Sequence, residues 1–211
     1  MPGKVRVIFS FFMQNLFRVL FLLLLTGCAS RSVDQGVQLS DEARHQLWQG
    51  HEQQLAALKT WQMSGRLNLK VPKQSGTLSV DWSQQEAQYQ IYLDGPFGAA
   101  IAAISGDQNQ VSVTASEDTM VGSSPEMLLY SMTGWQFPVS YLRRWIKGLP
   151  VQGVASKLTL NNQGYPEKIE QAGWVIVYQQ YKPSGSLLLP TRLTVSNKVV
   201  RLNLLINQWS L

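Results

Sequence analysis

Trp61-Gln62-Met63-Ser64-Gly65-Arg66-Leu67-Asn68-Leu69-Lys70-Val71 alternates along its whole length. Trp61, Met63, Gly65, Leu67, Leu69 and Val71 fall on one side, and Gln62, Ser64, Arg66, Asn68 and Lys70 on the other. Period two with one apolar side is the pattern of a strand whose sheet faces a core on one side and water on the other. Pro72 cannot donate to a sheet ladder and ends the strand. Leu78, Val80 and Trp82 repeat the alternation, and after the polar turn Ser83 to Glu86 it returns at Tyr89, Ile91 and Leu93. Asp94-Gly95-Pro96-Phe97-Gly98 interrupts it. Ala99 to Ser105 resumes it with small residues, Gly106 to Asn109 is a turn, and Val111 with Val113 is a further short strand.

The C-terminal part reads the same way. Lys157 to Leu160, Lys168 to Gln171, Trp174 to Tyr181, Thr191 to Ser196 and Val199 to Trp209 are strands. Turn residues separate them: Asn161-Asn162-Gln163-Gly164, Pro183-Ser184-Gly185 and Asn197-Lys198. Val200, Leu202, Leu204 and Ile206 share one face of the last strand. Helix signals fill the middle. Ser124-Pro125-Glu126 supplies a cap, a proline at the first position and an acid in the first turn, and Gly134 terminates that helix. Pro138 opens a second helix, Val139 to Lys147, with Leu142, Trp145 and Ile146 on one side and Arg143, Arg144 and Lys147 on the rest; Gly148 and Pro150 end it. Upstream, Ser40 caps a helix with Asp41 and Glu42 in its first turn. Leu47, Trp48, His51, Leu55 and Leu58 recur on it at helical spacing, and it ends near Lys59.

About ten short strands at meander spacing, with one helix in front and one helical block between, make a mainly β (α+β) domain. The natural architecture is a strongly curved antiparallel sheet or partial barrel whose open concave side is covered by helices. The apolar interior of such a sheet is either a packed core or a ligand cavity, and periodicity does not distinguish them.

The N-terminus has a different character. An apolar run, Val19 to Leu25, leads into Thr26-Gly27-Cys28, and Cys28 is the single cysteine of the chain. Apolar run, small residues and cysteine, preceded by Lys4, Arg6 and Arg18 with no acid, form a bacterial lipoprotein signal. A start at Met13 would leave Arg18 as its positive charge. The run is shorter than the about 20 apolar residues of a membrane span. The expected organisation is a signal peptide over 1–27, a lipidated flexible tether over 28–39 beginning at Cys28, and one domain over 40–211. Cleavage before Cys28 leaves 184 of the 211 residues, with 15 basic against 13 acidic side chains. The basic pI of about 9.4 is thus partly a property of the signal and is weak support for nucleic-acid binding. In lipoprotein sorting an Asp after the cysteine favours inner-membrane retention; Ala29 stands there and points to the outer membrane.

Signs of catalysis are missing. His45 and His51 are six apart on one helix, too poorly aligned for a metal pair, so no metal site is expected. Gly-x-Ser-x-Gly, a Walker loop and a dinucleotide glycine pattern are absent from the sequence, so neither enzyme nor cofactor is expected, and transport here has no nucleotide site to drive it. The cations around Trp145 read as a solvated face available to an acidic partner.

Four stretches, taken together, resemble the LolA/LolB-like lipoprotein localisation family, and within it the LolB receptors of the outer membrane. They are the lipobox ending at Cys28; Leu93-Asp94-Gly95-Pro96-Phe97-Gly98; Tyr141-Leu142-Arg143-Arg144-Trp145-Ile146-Lys147-Gly148-Leu149-Pro150; and Leu189-Pro190-Thr191-Arg192-Leu193 followed by the strand ending at Trp209. The resemblance implies an unclosed half-barrel of about eleven antiparallel strands with helices as a lid over an apolar cavity. It also implies a monomer, anchored by lipid at the periplasmic face of the outer membrane, that takes triacylated lipoproteins from the carrier LolA and places them in the bilayer. Candidate cavity walls are Leu67, Leu69, Leu78, Val80, Ile91, Leu93, Leu202 and Leu204, with Trp145 and Ile146 from the lid; Arg143, Arg144 and Lys147 are candidates for carrier contact.

The family carries an exposed apolar residue, usually Leu, on a loop between strands, and Phe97 holds that position here. Pro96 sets the turn and Gly95 and Gly98 allow unusual backbone angles, so Phe97 is either presented at the tip or folded back on the sheet; the resemblance favours the tip. The competing expectations are a structural or assembly-factor lipoprotein with a filled core, and a lipocalin-like binder of a small lipid.

Overall fold

The computed structural model describes residues 39–211 apart from 73, 116, 135 and 136. The expected signal peptide, Cys28 and all of the expected tether except Leu39 lie outside the described residues. Leu39 to Leu211 form one compact unit. Helix α1 (Asp41–Ala57) precedes strands β1 (Thr60–Val71), β2 (Gln74–Gln85) and β3 (Gln88–Asp94). A short 3-10 turn, Pro96–Gly98, leads to β4 (Ala100–Gly106), β5 (Val111–Ala115) and β6 (Asp118–Gly122). Helices α2 (Pro125–Thr133) and α3 (Val139–Trp145) follow, and then β7 (Ser156–Leu160), β8 (Pro166–Gln171), β9 (Trp174–Ser184), β10 (Leu187–Ser196) and β11 (Arg201–Ser210).

All eleven strands belong to one sheet in the order β6-β5-β4-β3-β2-β1-β11-β10-β9-β8-β7. Every neighbouring pair is antiparallel. The chain therefore meanders outward twice from a central β1–β11 pair, and β6 and β7 are the two free edges of an unclosed sheet. Helices α2 and α3 lie in the chain between those edges, so the covering block is strung from one rim to the other. The sheet also curls. Helix α2 packs on β5 and β6, yet its Met127 and Tyr130 share one pocket with the β8–β9 turn and the β10–β11 turn. From β5 to the β10–β11 turn is between five and six strand spacings, about 26 Å if flat. A helix of this length covers about 13.5 Å. Only a curved sheet brings both sides to it.

The alternation that defines β1 is realised as burial. Trp61, Met63, Leu69 and Val71 are buried, while Gln62, Arg66, Asn68 and Lys70 are exposed. They join Val80, Trp82, Ile91, Ile104, Val113, Ile169, Ile176, Leu193, Leu202 and Ile206 in one continuous cluster that the helical block covers with Leu128, Leu129, Val139, Trp145 and Ile146. Helix α1 closes a second, smaller cluster, in which Trp48 and Leu55 meet Leu149, Leu160 and Leu189. The expected caps form: the Ser40 hydroxyl accepts from the Ala43 N–H, the Ser124 hydroxyl from the Met127 N–H, and Gly134 ends α2 at φ 72°. His51 sits at the core edge, its ring 4.6 Å from that of Tyr165 in an edge-on contact.

Three features depart from the sequence reading. Strand β6 was not among the ten; it pairs only with β5 and is exposed along almost its whole length, so it carries no burial pattern to read. Pro183 and Ser184 belong to β9, because the hairpin turns instead at Ser184 to Leu187, with Gly185 at φ 57°. Leu47, expected on the apolar face of α1, is 52% exposed. Gly65 occupies an irregularity in the β1–β11 register, where a Cβ would come within 2.3 Å of the Leu205 carbonyl oxygen. The glycine in the alternation is thus a close backbone approach at the centre of the sheet.

Candidate functional site

Strand β3 ends at Asp94, paired with Ser79 on one side and Ala100 on the other. The five-residue connection closes on itself: the Gly95 N–H donates to the Ala99 carbonyl at 2.8 Å and the Gly98 N–H to the Gly95 carbonyl at 3.3 Å. Pro96 opens the turn, and Phe97 takes φ 63°, ψ 21°, in the left-handed region that costs an L-residue about 1 kcal/mol or more. Gly98 follows at φ 74°. The Phe97 side chain is 108% exposed, so it is not folded back on the sheet. A bulky side chain held in a strained conformation and touching nothing has no structural gain to offset the strain.

The candidate cavity walls lie on the covered face or next to it. Leu69, Val80, Ile91, Leu202, Leu204, Trp145 and Ile146 are buried members of the main cluster, and Leu67 and Leu93 pack half-buried against it. Leu78 is half-buried beyond that cluster. In this arrangement they pack against one another as a core. An open pocket of about 680 Å³ lies elsewhere, between Met127, Tyr130 and Phe137 of the lid and Trp174, Lys198 and Val199 of the two turns. None of those six was singled out from the sequence. The available signal was Met127 and Tyr130 at helix positions that α2 does not bury: they are 72% and 54% exposed.

The lid is held at its α3 end. Gln171, 3% exposed, accepts the Trp145 indole N–H at 2.9 Å and the Val151 N–H at 2.8 Å, and its amide donates to the carbonyls of Val151 and Val154. The Tyr178 hydroxyl donates to the Trp145 carbonyl at 2.7 Å. Sequence reasoning missed Gln171, although a polar residue in phase with the buried Ile169 of β8 was the available clue.

The three cations of α3 and its end do not share one solvated face. Arg143 is exposed. Arg144 is half-buried and donates to the Pro150 carbonyl. Lys147 is 7% exposed, and its ammonium donates to the Leu55 and Leu58 carbonyls at the end of α1. Of the expected carrier-contact residues, only Arg143 reaches out fully. Burial, with Arg144 and Arg143 adding like charge, lowers Lys147 to about 8. The unfolded chain then keeps a proton between about pH 8 and 10.5 that the folded chain has released, so stability rises with pH across that window. Relative to a Lys147→Met variant, the wild type should gain on the order of 2 kcal/mol between pH 7.5 and 10.5, the partial hydration of the amine limiting the gain. Chemical denaturation of both proteins at the two pH values checks this.

A presented apolar tip, a continuous apolar face and a two-helix lid now stand together. Residues 59–209 match the family model described as Outer membrane lipoprotein LolB. The chain belongs to the LolB family. Among curated LolB proteins, one from Pseudomonas fluorescens is 33% identical over 94% of this chain and 96% of its own length. One from Chromohalobacter salexigens is 31% identical over 92% and 88%. Solved structures share the fold: a LolA superfamily protein from Nitrosomonas europaea has a TM-score of 0.50 at 8% identity, covering 82% of this chain and 94% of its own. An outer membrane lipoprotein-sorting protein domain from Vibrio parahaemolyticus has a TM-score of 0.52 at 10% identity, covering 78% and 90%. The LolB match begins at the strands and contains the Phe97 turn, the whole lid and Gln171.

Proposed function

We propose that this LolB-family chain is an outer-membrane receptor that accepts lipoproteins from the periplasmic carrier LolA, holds their acyl chains between sheet and lid, and inserts them into the outer membrane. It acts as a monomer, tethered at the periplasmic face by lipid on Cys28. The observation that carries the reading is Phe97, wholly exposed on a strained turn of a sheet whose covered face is one apolar surface.

Each methylene withdrawn from water contributes about 0.8 kcal/mol, so the acyl chains of a lipoprotein need an apolar container between membranes. Transfer then runs down a gradient of affinity, from carrier to receptor to bilayer, without nucleotide hydrolysis. Acyl chains enter by lifting α2, because α3 is pinned to Gln171 and Tyr178 while Met127 and Tyr130 of α2 already border an opening. Residues such as Leu69, Val80, Ile91 and Leu202 line the space that opens, and Arg143 meets the carrier.

The test is a transfer assay. A Cys28→Ala protein, mixed with LolA preloaded with a radiolabelled lipoprotein, should take up the label while remaining in the soluble fraction. Label that stays on LolA, with both proteins folded, would replace this reading with that of a structural lipoprotein whose core is filled. The close packing of the wall residues is the observation on that side. An apolar fluorescent probe gives a second readout, since a filled core leaves it in water.

A further inference from the structure

Strand register places the β1–β2, β3–β4, β8–β9 and β10–β11 turns at one end of the sheet. Val71 pairs with Gln74 at the β1–β2 turn. Lys70, one residue back, pairs with Arg201 at the start of β11, Arg201 with Ser196 at the end of β10, and Ser196 with Val175 beside the β8–β9 turn. On the other side of β1, Arg66 pairs with Ser79 and Ser79 with Asp94, where the Phe97 turn begins. The β10–β11 turn is therefore at the same end as Phe97 and is built in a similar way. The Asn197 carboxamide oxygen accepts from the N–H groups of Val199 and Val200 at 2.8 and 2.7 Å, and the Asn197 N–H donates to the Val200 carbonyl. These short bonds hold Val199 outward, 59% exposed.

Charge accompanies this second tip. Lys70 and Arg201 are cross-strand neighbours, both exposed, and Lys198 is exposed on the turn itself. Like charges set opposite each other on a sheet repel, and among the described residues none of the three has an ion-pair partner. The acids at this end are occupied or set apart. Glu170 pairs with Lys168, Glu126 accepts from the Ser140 N–H and the Ser124 hydroxyl, Asp94 lies at the base of the Phe97 turn, and Glu117 and Asp118 sit at the turn into edge strand β6. Three free cations call for an anion. An apolar tip among them selects an anionic bilayer over an acidic protein, because the tip needs hydrocarbon beside the negative charge.

We infer that the β10–β11 turn is a second membrane contact, with Val199 entering the interface and Lys70, Lys198 and Arg201 holding the phosphates of anionic lipids. The inference rests on the proposed membrane role of Phe97 and extends it from one point to two. Lys198 and Val199 also border the pocket beside Met127 and Trp174. A bilayer seated on both tips covers that opening, and an acyl chain leaving beneath α2 passes into lipid without meeting water.

Fluorophore depth decides the matter. In the Cys28→Ala protein, Phe97→Cys, Val199→Cys or Asn109→Cys introduces the only thiol; Asn109 lies in the turn at the opposite end of the sheet. Each is labelled with an environment-sensitive fluorophore and mixed with phosphatidylcholine vesicles, with or without phosphatidylglycerol, that carry a lipid-bound quencher. Labels at 97 and 199 should shift to the blue and be quenched on phosphatidylglycerol vesicles, and the label at 109 should not respond. Removing each cation, as in Lys198→Ser and Arg201→Ser, should weaken partition onto phosphatidylglycerol about fivefold, with little change on phosphatidylcholine alone. Quenching at 97 without quenching at 199 overturns the second contact and leaves the Phe97 reading standing. Silence at both positions removes the membrane reading of Phe97 as well. Quenching at 199 that ignores phosphatidylglycerol overturns the headgroup role of the three cations.

Discussion

A Phe97→Glu protein should fold as the wild type does, accept labelled lipoprotein from LolA at the wild-type level, and fail to pass it to the outer membrane. The first outcome follows from exposure: Phe97 makes no packing contact that the substitution could remove. The second follows from position, since the turn connects β3 to β4 and contributes nothing to the buried cluster beneath the lid. The third is the large effect. A phenyl side chain moved from water into hydrocarbon contributes about 2 kcal/mol, and bringing a carboxylate towards the acyl region costs a further 1–2 kcal/mol or so. Together they weaken membrane contact on the order of a hundredfold or more. Insertion of labelled lipoprotein into vesicles, measured against acceptance in the same preparation, separates the two steps. A Phe97→Leu protein should retain insertion, because the property required is an exposed apolar tip. Wild-type insertion by Phe97→Glu would take this side chain out of the mechanism.

The second large effect is on stability. Gln171→Ala removes both hydrogen bonds that its carboxamide oxygen accepts and both that its amide donates. The partners remain where they were. The Trp145 indole N–H stays buried and the Val151 N–H half-buried, and both lose their acceptor, at about 1–3 kcal/mol each with the second at the lower end. We expect a loss of about 4 kcal/mol in chemical denaturation, or roughly 10 °C in Tm for a domain of this size. Gln171→Leu should fare little better, since filling the volume restores an acceptor to neither N–H. The lid should loosen from its fixed end, so apolar probe uptake should rise in the folded fraction. A loss under about 1 kcal/mol would mean that the segment after α3 does not depend on Gln171.

Gln171 and Lys147 show where reading from sequence stops. Both are polar residues beside apolar neighbours, and nothing local says whether such a residue meets solvent or a distant carbonyl. Lys147 finds its partners, Leu55 and Leu58, about ninety positions upstream. Gln171 ties the end of α3 and the segment after it to β8. Strand β6 is a different failure. An edge strand with one partner and little burial need not alternate, so pattern reading has nothing to detect. The Phe97 turn lies between these cases. Its proline and glycines announce a turn, but two orientations of the phenyl group were compatible with it, and the backbone at φ 63° and full exposure chose between them.

What the amino-acid sequence determined alone is the alternation from Trp61 to Val71 and its successors, the capped helical block between the two meanders, and the run of apolar and then small residues that ends at Cys28. These are local: period two, a serine–proline start and a small-residue motif each act within a few neighbouring residues. Tertiary structure alone decided that β1 and β11 meet at the centre, that the curled sheet brings the β8–β9 and β10–β11 turns to α2, that Lys147 is interior, and that Val199 stands at the same end as Phe97. Those facts depend on register between strands far apart in the chain. Register is set by the summed burial of one whole face, which no single stretch of sequence carries.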